Sequence, residues 1–260
     1  MLAAGSDIGA ALARVQLARG AEVLGTYRTR TAEVEGLETA GARMVQVDVS
    51  EPSDVARLAE EAVHAAFDWD AWISAPGLLS PIGPFFSVPF DAWENSVRIN
   101  STAQLRALHA LYPRRRQGAT ARVVFFAGGG TNGPFDNYSA YCIGKLSLIK
   151  MTELLDSECP DLKVSIVGTG WVDTKIHRQT LAAGGAAGSN LDRTRRFLDR
   201  SAEGGVEMDR VVECIDWVLG APRAAVGGRN FSLVHDAWPD PAFVDRLAAE
   251  PGTYKLRRAS

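Results

Sequence analysis

ARVVFFAGGG (residues 121–130), NYSAYCIGKLSLIKMTELLDSE (137–158) and LKVSIVGTG (162–170) are the stretch that decides the fold. The first and third are short runs rich in β-branched and apolar residues, each closed by glycine, as buried strands are. The second repeats apolar positions at helical spacing. Strand, helix and strand in succession make a βαβ unit, and the helical crossover makes the two strands parallel.

The same rhythm runs outward toward the N-terminus. Residues 9–20 read as a helix ending at Gly20, AEVLGTY (21–27) as a buried strand and TAEVEGLETAG (31–41) as a helix. ARMVQVDV (42–49) is the next strand, and SEPSDVARLAEEAVHAA (50–66) opens with the helix-start residues Ser50, Pro52 and Asp54. DAWISAPG (70–77) is a strand running into a turn, and FDAWENSVRINSTAQLRALHALYP (90–113) reads as one long helix. A final strand lies near Phe231. The expected architecture is α/β: a doubly wound, Rossmann-like parallel sheet with helices on both faces, in one domain spanning 1–260. Such sheets bind ligands beyond the carboxyl ends of their strands, so the loops there are where chemistry is to be sought.

Composition narrows the function. The 260 residues are 46% hydrophobic and 23% charged, a globular balance, and the formal net charge of −3 gives no electrostatic case for nucleic acid or an anionic membrane surface. No apolar run is long enough to span a bilayer, and MLAAGSDIG has neither a basic nor an apolar leader region. Cys142, Cys159 and Cys214 form no C-x-x-C pair, so a reducing cytoplasm is the expected location. His64, His109, His177 and His235 show no metal-ligand spacing, and no metal site is expected. One stretch breaks the rhythm: LAAGGAAGSN (181–190) is too small and glycine-rich to build a core. It reads either as part of a mobile flap over the site, about 176–206, or as a plain connector.

Ala3-Ala4-Gly5-Ser6-Asp7-Ile8-Gly9 opens the first helix. Small residues let the backbone approach a pyrophosphate, and a helix N-terminus offers free N–H groups and partial positive charge. Arg28 follows Gly9 by 19 positions, where a dinucleotide fold places an acid for a ribose 2′-hydroxyl or an arginine for a 2′-phosphate. With Arg28 and Arg30 and no acid, NADP is favoured over NAD; the alternative is that both arginines only solvate a loop. Before this turn the fold calls for a central strand of about five residues, and Met1-Leu2 is all that precedes it. Unpaired groups on the neighbouring strands would cost roughly 1–3 kcal/mol each, so the true start is expected upstream of Met1.

Tyr141 and Lys145 stand four apart on the helix after the strand that ends in Ala127-Gly128-Gly129-Gly130. Positions i and i+4 share a face, and a nearby ammonium is expected to lower the phenol's pKa toward neutrality for proton transfer.

With these residues in order the chain resembles the short-chain dehydrogenase/reductase family in its compact single-domain form. The resemblance rests on the glycine turn ending at Ile8-Gly9, Asp48-Val49, Ser74-Ala75-Pro76-Gly77, Asn100, Tyr141 with Lys145, and Thr169-Gly170 before Thr174. It implies Tyr141 as general acid/base, Lys145 on the nicotinamide ribose, Asn100 holding a relay water, and Asp48 and Val49 at the adenine. Gly5 to Gly9, Ala75, Gly77 and the segment Gly170, Val172 and Thr174 would complete the cofactor site. A hydride would pass between NADP(H) and a small carbonyl or alcohol substrate, in a homodimer or homotetramer. Ala3 and Asp7 stand where the family's first two turn glycines usually do, and Thr169 where a proline does. Gly128, 13 positions before Tyr141, takes the place of the family's catalytic serine. Loss of such a donor costs about 10²–10³ in rate; Thr131 is the first replacement expected, with Ser139 or Asn132 as others. Epimerase or dehydratase chemistry on the same scaffold, or a catalytically weak dinucleotide sensor, are the alternatives.

Overall fold

The computed structural model describes residues 1–199 and 205–257. Its elements follow the expected alternation: α1 (Asp7–Ala18), β1 (Leu24–Tyr27), α2 (Ala32–Thr39), β2 (Arg43–Gln46), α3 (Pro52–His64), β3 (Ala71–Ser74), α4 (Phe90–Asn100) and α5 (Thr102–Leu111). They continue with β4 (Ala121–Phe126), α6 (Ser139–Glu158), β5 (Leu162–Gly168), α7 (His177–Ala183), α8 (Ser189–Leu198), α9 (Met208–Gly220), α10 (Arg223–Val226), β6 (Asn230–Ser232) and α11 (Pro241–Ala249). Every strand pair is parallel: β1 with β2, and β3-β4-β5-β6 in that order. Burial follows from this geometry, since parallel strands covered on both faces carry near-continuous apolar runs. Val123 and Phe125 of β4 pack with α3, α5 and α6 residues, while Val124 and Phe126 pack with α9.

The two sheets are joined by Met1 and Leu2. Leu2 N–H donates to Ile73 O (2.8 Å) and Ala75 N–H donates to Leu2 O (3.1 Å), while Thr26 N–H donates to Met1 O (3.0 Å) and the Met1 nitrogen to Leu24 O (2.6 Å). Two residues thus supply rungs to both neighbours, and Leu2 is fully buried between them.

Two expectations are corrected. The long helix over 90–113 is broken at Ser101, whose backbone (φ −141°, ψ −89°) leaves the helical region and whose hydroxyl donates to Val97 O. The break sits where α6 packs against α4: a Cβ on Gly144 would lie 2.5 Å from Asn100 Cβ. The glycine-rich run over 181–190 is helical, ending α7, passing through a 3₁₀ turn (Gly184–Ala187) and opening α8. It also contributes to a core, since Ala187 is fully buried with Leu79, Ile82, Tyr138 and Tyr141. Small side chains exclude a large core but allow close contact with one. Part of the expected flap, 200–204, lies outside the described residues.

Ala3 has a left-handed backbone (φ +56°) at the turn into α1. A Cβ there costs roughly 1–2 kcal/mol, partly offset by the chain entropy that alanine removes from the unfolded state. Ala3→Gly is expected to raise stability by about 1 kcal/mol in urea denaturation; an unchanged or lower midpoint contradicts the strain.

Candidate active site

Beyond the carboxyl ends of the strands lies a cleft of about 430 Å³, within the range of small-molecule sites. The turn into α1 forms one wall. Ser6 caps the helix: its hydroxyl donates to Ala3 O (2.7 Å) and accepts from Gly9 N–H (3.2 Å). Gly9 is required by space, because a Cβ would come within 2.2 Å of Ala3 O. Gly5 and Gly9 shape the turn from behind, while Ser6, Asp7 and Ile8 face the cleft. Asp7 accepts from the Lys175 backbone N–H (2.6 Å) and pairs with its ammonium (3.3 Å), so the acid in place of a turn glycine carries its own counter-ion.

Arg28, Asp48, Val49, Ala75, Gly77, Gly170, Val172 and Thr174 all line the same cleft. The two arginines part company. Arg30 is engaged by Glu35 and, as a forked donor, by Glu38 (2.6 Å), whereas Arg28 is exposed and has no acidic partner among the described residues. The Asp48 carboxylate accepts from Ser50 N–H (2.9 Å) and from the Ser50 hydroxyl (2.7 Å), which fixes it at the end of the loop.

Tyr141 and Lys145 share a face of α6 and both line the cleft. Their electrostatics differ from the expectation. The lysine Nζ lies 5.9 Å from the centre of the phenol ring and donates to Pro76 O (3.1 Å). Burial pushes the Lys145 pKa down to about 7 and the Tyr141 pKa well above the ordinary phenol value. Removal from water is the main cause of both shifts, disfavouring the charged form of each group. The resting phenol is therefore protonated.

Asn100 is fully buried behind the cleft wall. Its Oδ1 accepts from Leu78 N–H (3.0 Å), and its Nδ2 donates to Leu78 O (2.7 Å) and Ser96 O (2.9 Å). Its amide holds the loop that holds Lys145. Thr131 does not line the cleft; its hydroxyl donates to Gly128 O (3.1 Å) and closes the glycine turn. The space at Gly128 belongs to the tyrosine, since a Cβ there would lie 2.3 Å from the Tyr141 oxygen.

Gln179, His177 and Ile176 enter the site without having been expected as principal residues. Gln179 Oε1 accepts from Leu79 N–H (2.9 Å) and Ser80 N–H (3.1 Å), tying α7 to the loop after β3. His177 stacks on Trp171 (5.1 Å, 6°) with Nε2 bonded to Val172 O (2.9 Å). No pattern in the sequence marks Gln179, whose partners lie some 100 positions away.

A family model described as enoyl-(acyl carrier protein) reductase matches residues 2–202. The chain belongs to the short-chain dehydrogenase/reductase family. Among curated members, the 1-deoxy-11-beta-hydroxypentalenate dehydrogenase of Streptomyces arenae is 29% identical over 208 residues, covering 71% of this chain and 70% of that one. The short chain dehydrogenase adrF of Penicillium rubens is 22% identical over 239 residues, 90% of this chain and 93% of that one. A short chain dehydrogenase/reductase from Saccharomyces cerevisiae superposes with TM-score 0.81 at 22% identity, covering 94% and 96% of the two chains. A short chain dehydrogenase from Burkholderia cenocepacia solved in complex with NADP gives 0.72 at 24% identity, covering 89% and 93%. The short-chain dehydrogenase/reductase fold is thereby shown, and the family match supports an oxidoreductase. Among the described residues no helix is long and apolar enough to cross a membrane.

Gly128 generates a prediction at odds with simple repair of the family motif. Restoring a serine at this position, Gly128→Ser, displaces the phenol instead of completing the site. Stability is expected to fall by about 1–3 kcal/mol in urea denaturation, and a structure of the variant should show Tyr141 moved; an unmoved ring at wild-type stability contradicts the packing.

Proposed function

We propose that the protein is an NADP(H)-dependent carbonyl reductase or alcohol dehydrogenase in which Tyr141 handles the proton. The observation that carries this reading is the convergence of Tyr141, Lys145, Arg28 and the N-terminus of α1 on one cleft. The residues suit a phosphorylated dinucleotide. The helix N-terminus favours the negative pyrophosphate, Arg28 is an exposed forked cation suited to a 2′-phosphate, and Val49 offers apolar contact at the adenine end. Lys145 and the segment from Gly170 to Thr174 would hold the nicotinamide end.

The nicotinamide, when bound, supplies or accepts the hydride. The chain's own part is the proton and the alignment of the substrate oxygen. A protonated phenol holds at its Oη the proton that carbonyl reduction consumes, and the same oxygen would take that proton back in alcohol oxidation. Leu78, Ile176 and Val172 line the cleft and exclude water from the reacting carbon. With Thr131 turned to Gly128 O, the substrate oxygen has no hydroxyl donor from that turn, and attenuated turnover follows. The same observation favours the second reading, a dinucleotide sensor. On this reading the chain is one dinucleotide-binding domain that acts in the cytoplasm as a homo-oligomer built on α4, α5 and α6.

Tyr141→Phe should keep NADPH binding, read by nucleotide fluorescence, and lose about 10²–10⁴ in turnover across a panel of ketones and aldehydes. Wild-type rates in the variant contradict the proton role, and NADPH binding without turnover in the parent supports the sensor. Arg28→Ala should weaken NADPH on the order of tenfold or more while leaving NADH nearly unchanged; equal losses for both nucleotides contradict a 2′-phosphate contact.

A further inference from the structure

The turn after β4 gives a reacting oxygen no hydroxyl. Gly128 has no side chain, and the Thr131 hydroxyl donates to Gly128 O (3.1 Å). Asn132 does not line the cleft, nor does Ser139, whose hydroxyl accepts from the Trp93 indole N–H (2.9 Å). A carbonyl oxygen gathers negative charge as hydride reaches its carbon, and a donor aimed at that oxygen is worth about 10²–10³ in rate. Other polar side chains lining the cleft are engaged: Lys145 donates to Pro76 O, the His177 ring bonds Val172 O, and the Thr169 hydroxyl donates to Gly170 O (3.4 Å). Thr174 lies in the segment assigned above to the nicotinamide end.

Gln179 differs. Its Oε1 accepts from two backbone N–H groups, those of Leu79 (2.9 Å) and Ser80 (3.1 Å). Two donors on one amide atom require that atom to be the oxygen, so the amide cannot turn over and its NH₂ faces away from the loop. That Nε2 has no acceptor among the described residues and is not sealed from solvent, and Gln179 lines the cleft. Two further contacts set it beside Tyr141. Leu79 packs in one cluster with Tyr138 and Tyr141, and Ile176 lies against the same cluster. Thr180, the next residue, shares a 2.8 Å hydrogen bond with the hydroxyl of Tyr138, three positions before Tyr141. The helix α7 is thus tied both to the cleft loop and to the start of α6. Accepting two N–H bonds also polarises the amide and strengthens its own N–H groups as donors.

We propose that Gln179 supplies the donor that the turn withholds, its Nε2–H binding the carbonyl oxygen that Tyr141 protonates. The inference rests on the reductase or dehydrogenase reading above and gives a role to a residue outside the family motif. In reduction, hydride from the reduced dinucleotide adds to the carbonyl carbon, the C=O π pair moves to oxygen, and that oxygen takes the Tyr141 proton. Gln179 keeps both of its amide protons and acts through the hydrogen bond alone. In alcohol oxidation the same bond holds the oxygen as Tyr141 takes its proton. Because Oε1 is anchored before any substrate arrives, charge develops against a donor already in place, which is the condition for stabilising a transition state in this way.

Two substitutions separate the donor from the tie. Gln179→Glu keeps an acceptor for Leu79 and Ser80 and removes the donor; Gln179→Met removes both without adding charge. The probe is acetophenone ¹³C-labelled at the carbonyl, with the panel of ketones beside it. Both variants are expected to lose about 10² in kcat, and in Gln179→Glu the ketone KM and the NADPH affinity change by less than about threefold. Hydrogen exchange at the Leu79 and Ser80 amides should stay slow in Gln179→Glu and speed up only in Gln179→Met, so that rate does not follow the tie. In the unreactive complex with NADP⁺, the carbonyl resonance of bound acetophenone should lie downfield of its solution position in the parent and less so in either variant. A parental kcat in Gln179→Glu, with Tyr141→Phe inactive, overturns this proposal alone. An equal carbonyl shift in all three proteins does the same, as does NADPH affinity falling as far as kcat. A parent that binds NADPH and reduces no ketone overturns it together with the reading on which it rests.

Discussion

The junction on which the site depends is the loop from Pro76 to Ser80, held by three side chains from three helices. Lys145 of α6 donates to Pro76 O, Asn100 of α4 takes both backbone groups of Leu78, and Gln179 of α7 accepts from Leu79 and Ser80. Each is a polar group in a largely dry interior, where a partner left unbonded costs about 1–3 kcal/mol and bonds to a charged group are the stronger ones. The loop fixes the lysine, the lysine's helix fixes the phenol one turn earlier, and the same loop forms the cleft wall. Dehydration, more than ion pairing, then decides the protonation of both groups.

Close approach makes this possible. Gly144 lets α6 come against Asn100, and Gly128 leaves room for the phenol. The turn where the family resemblance leads one to expect a hydroxyl is therefore a packing surface, braced by the Thr131 bond to Gly128 O. Asp7 offers a parallel case at the other end of the cleft, where Lys175 balances an acid that would otherwise oppose a bound phosphate. Each departure has its own local partner: Lys175 pairs with Asp7, and the Tyr141 ring fills the space at Gly128.

Much of this was legible in the sequence because it is periodic. Alternating strands and helices, the turn before α1 and the Tyr141–Lys145 spacing are local patterns, and each element formed close to where the pattern places it. What was not legible depends on contacts distant in the chain. The break at Ser101 reflects the approach of α6, and the compact fold of 181–190 reflects a place for Ala187 beside Tyr138. The difference between Arg28 and Arg30 appears only when Glu38 is seen to claim one of them. Four-residue spacing put Tyr141 and Lys145 on one face but said nothing of their burial, and burial reverses the expected shift of the phenol.

That reversal is the account's central claim, and titration of Tyr141 tests it most directly. With ζ-¹³C-labelled tyrosine, and Tyr141→Phe to assign the resonance, Tyr141 should remain protonated to above about pH 10, the ordinary phenol value. Ionisation of Tyr141 between about pH 7 and 9, as a lysine-governed phenol would show, contradicts it.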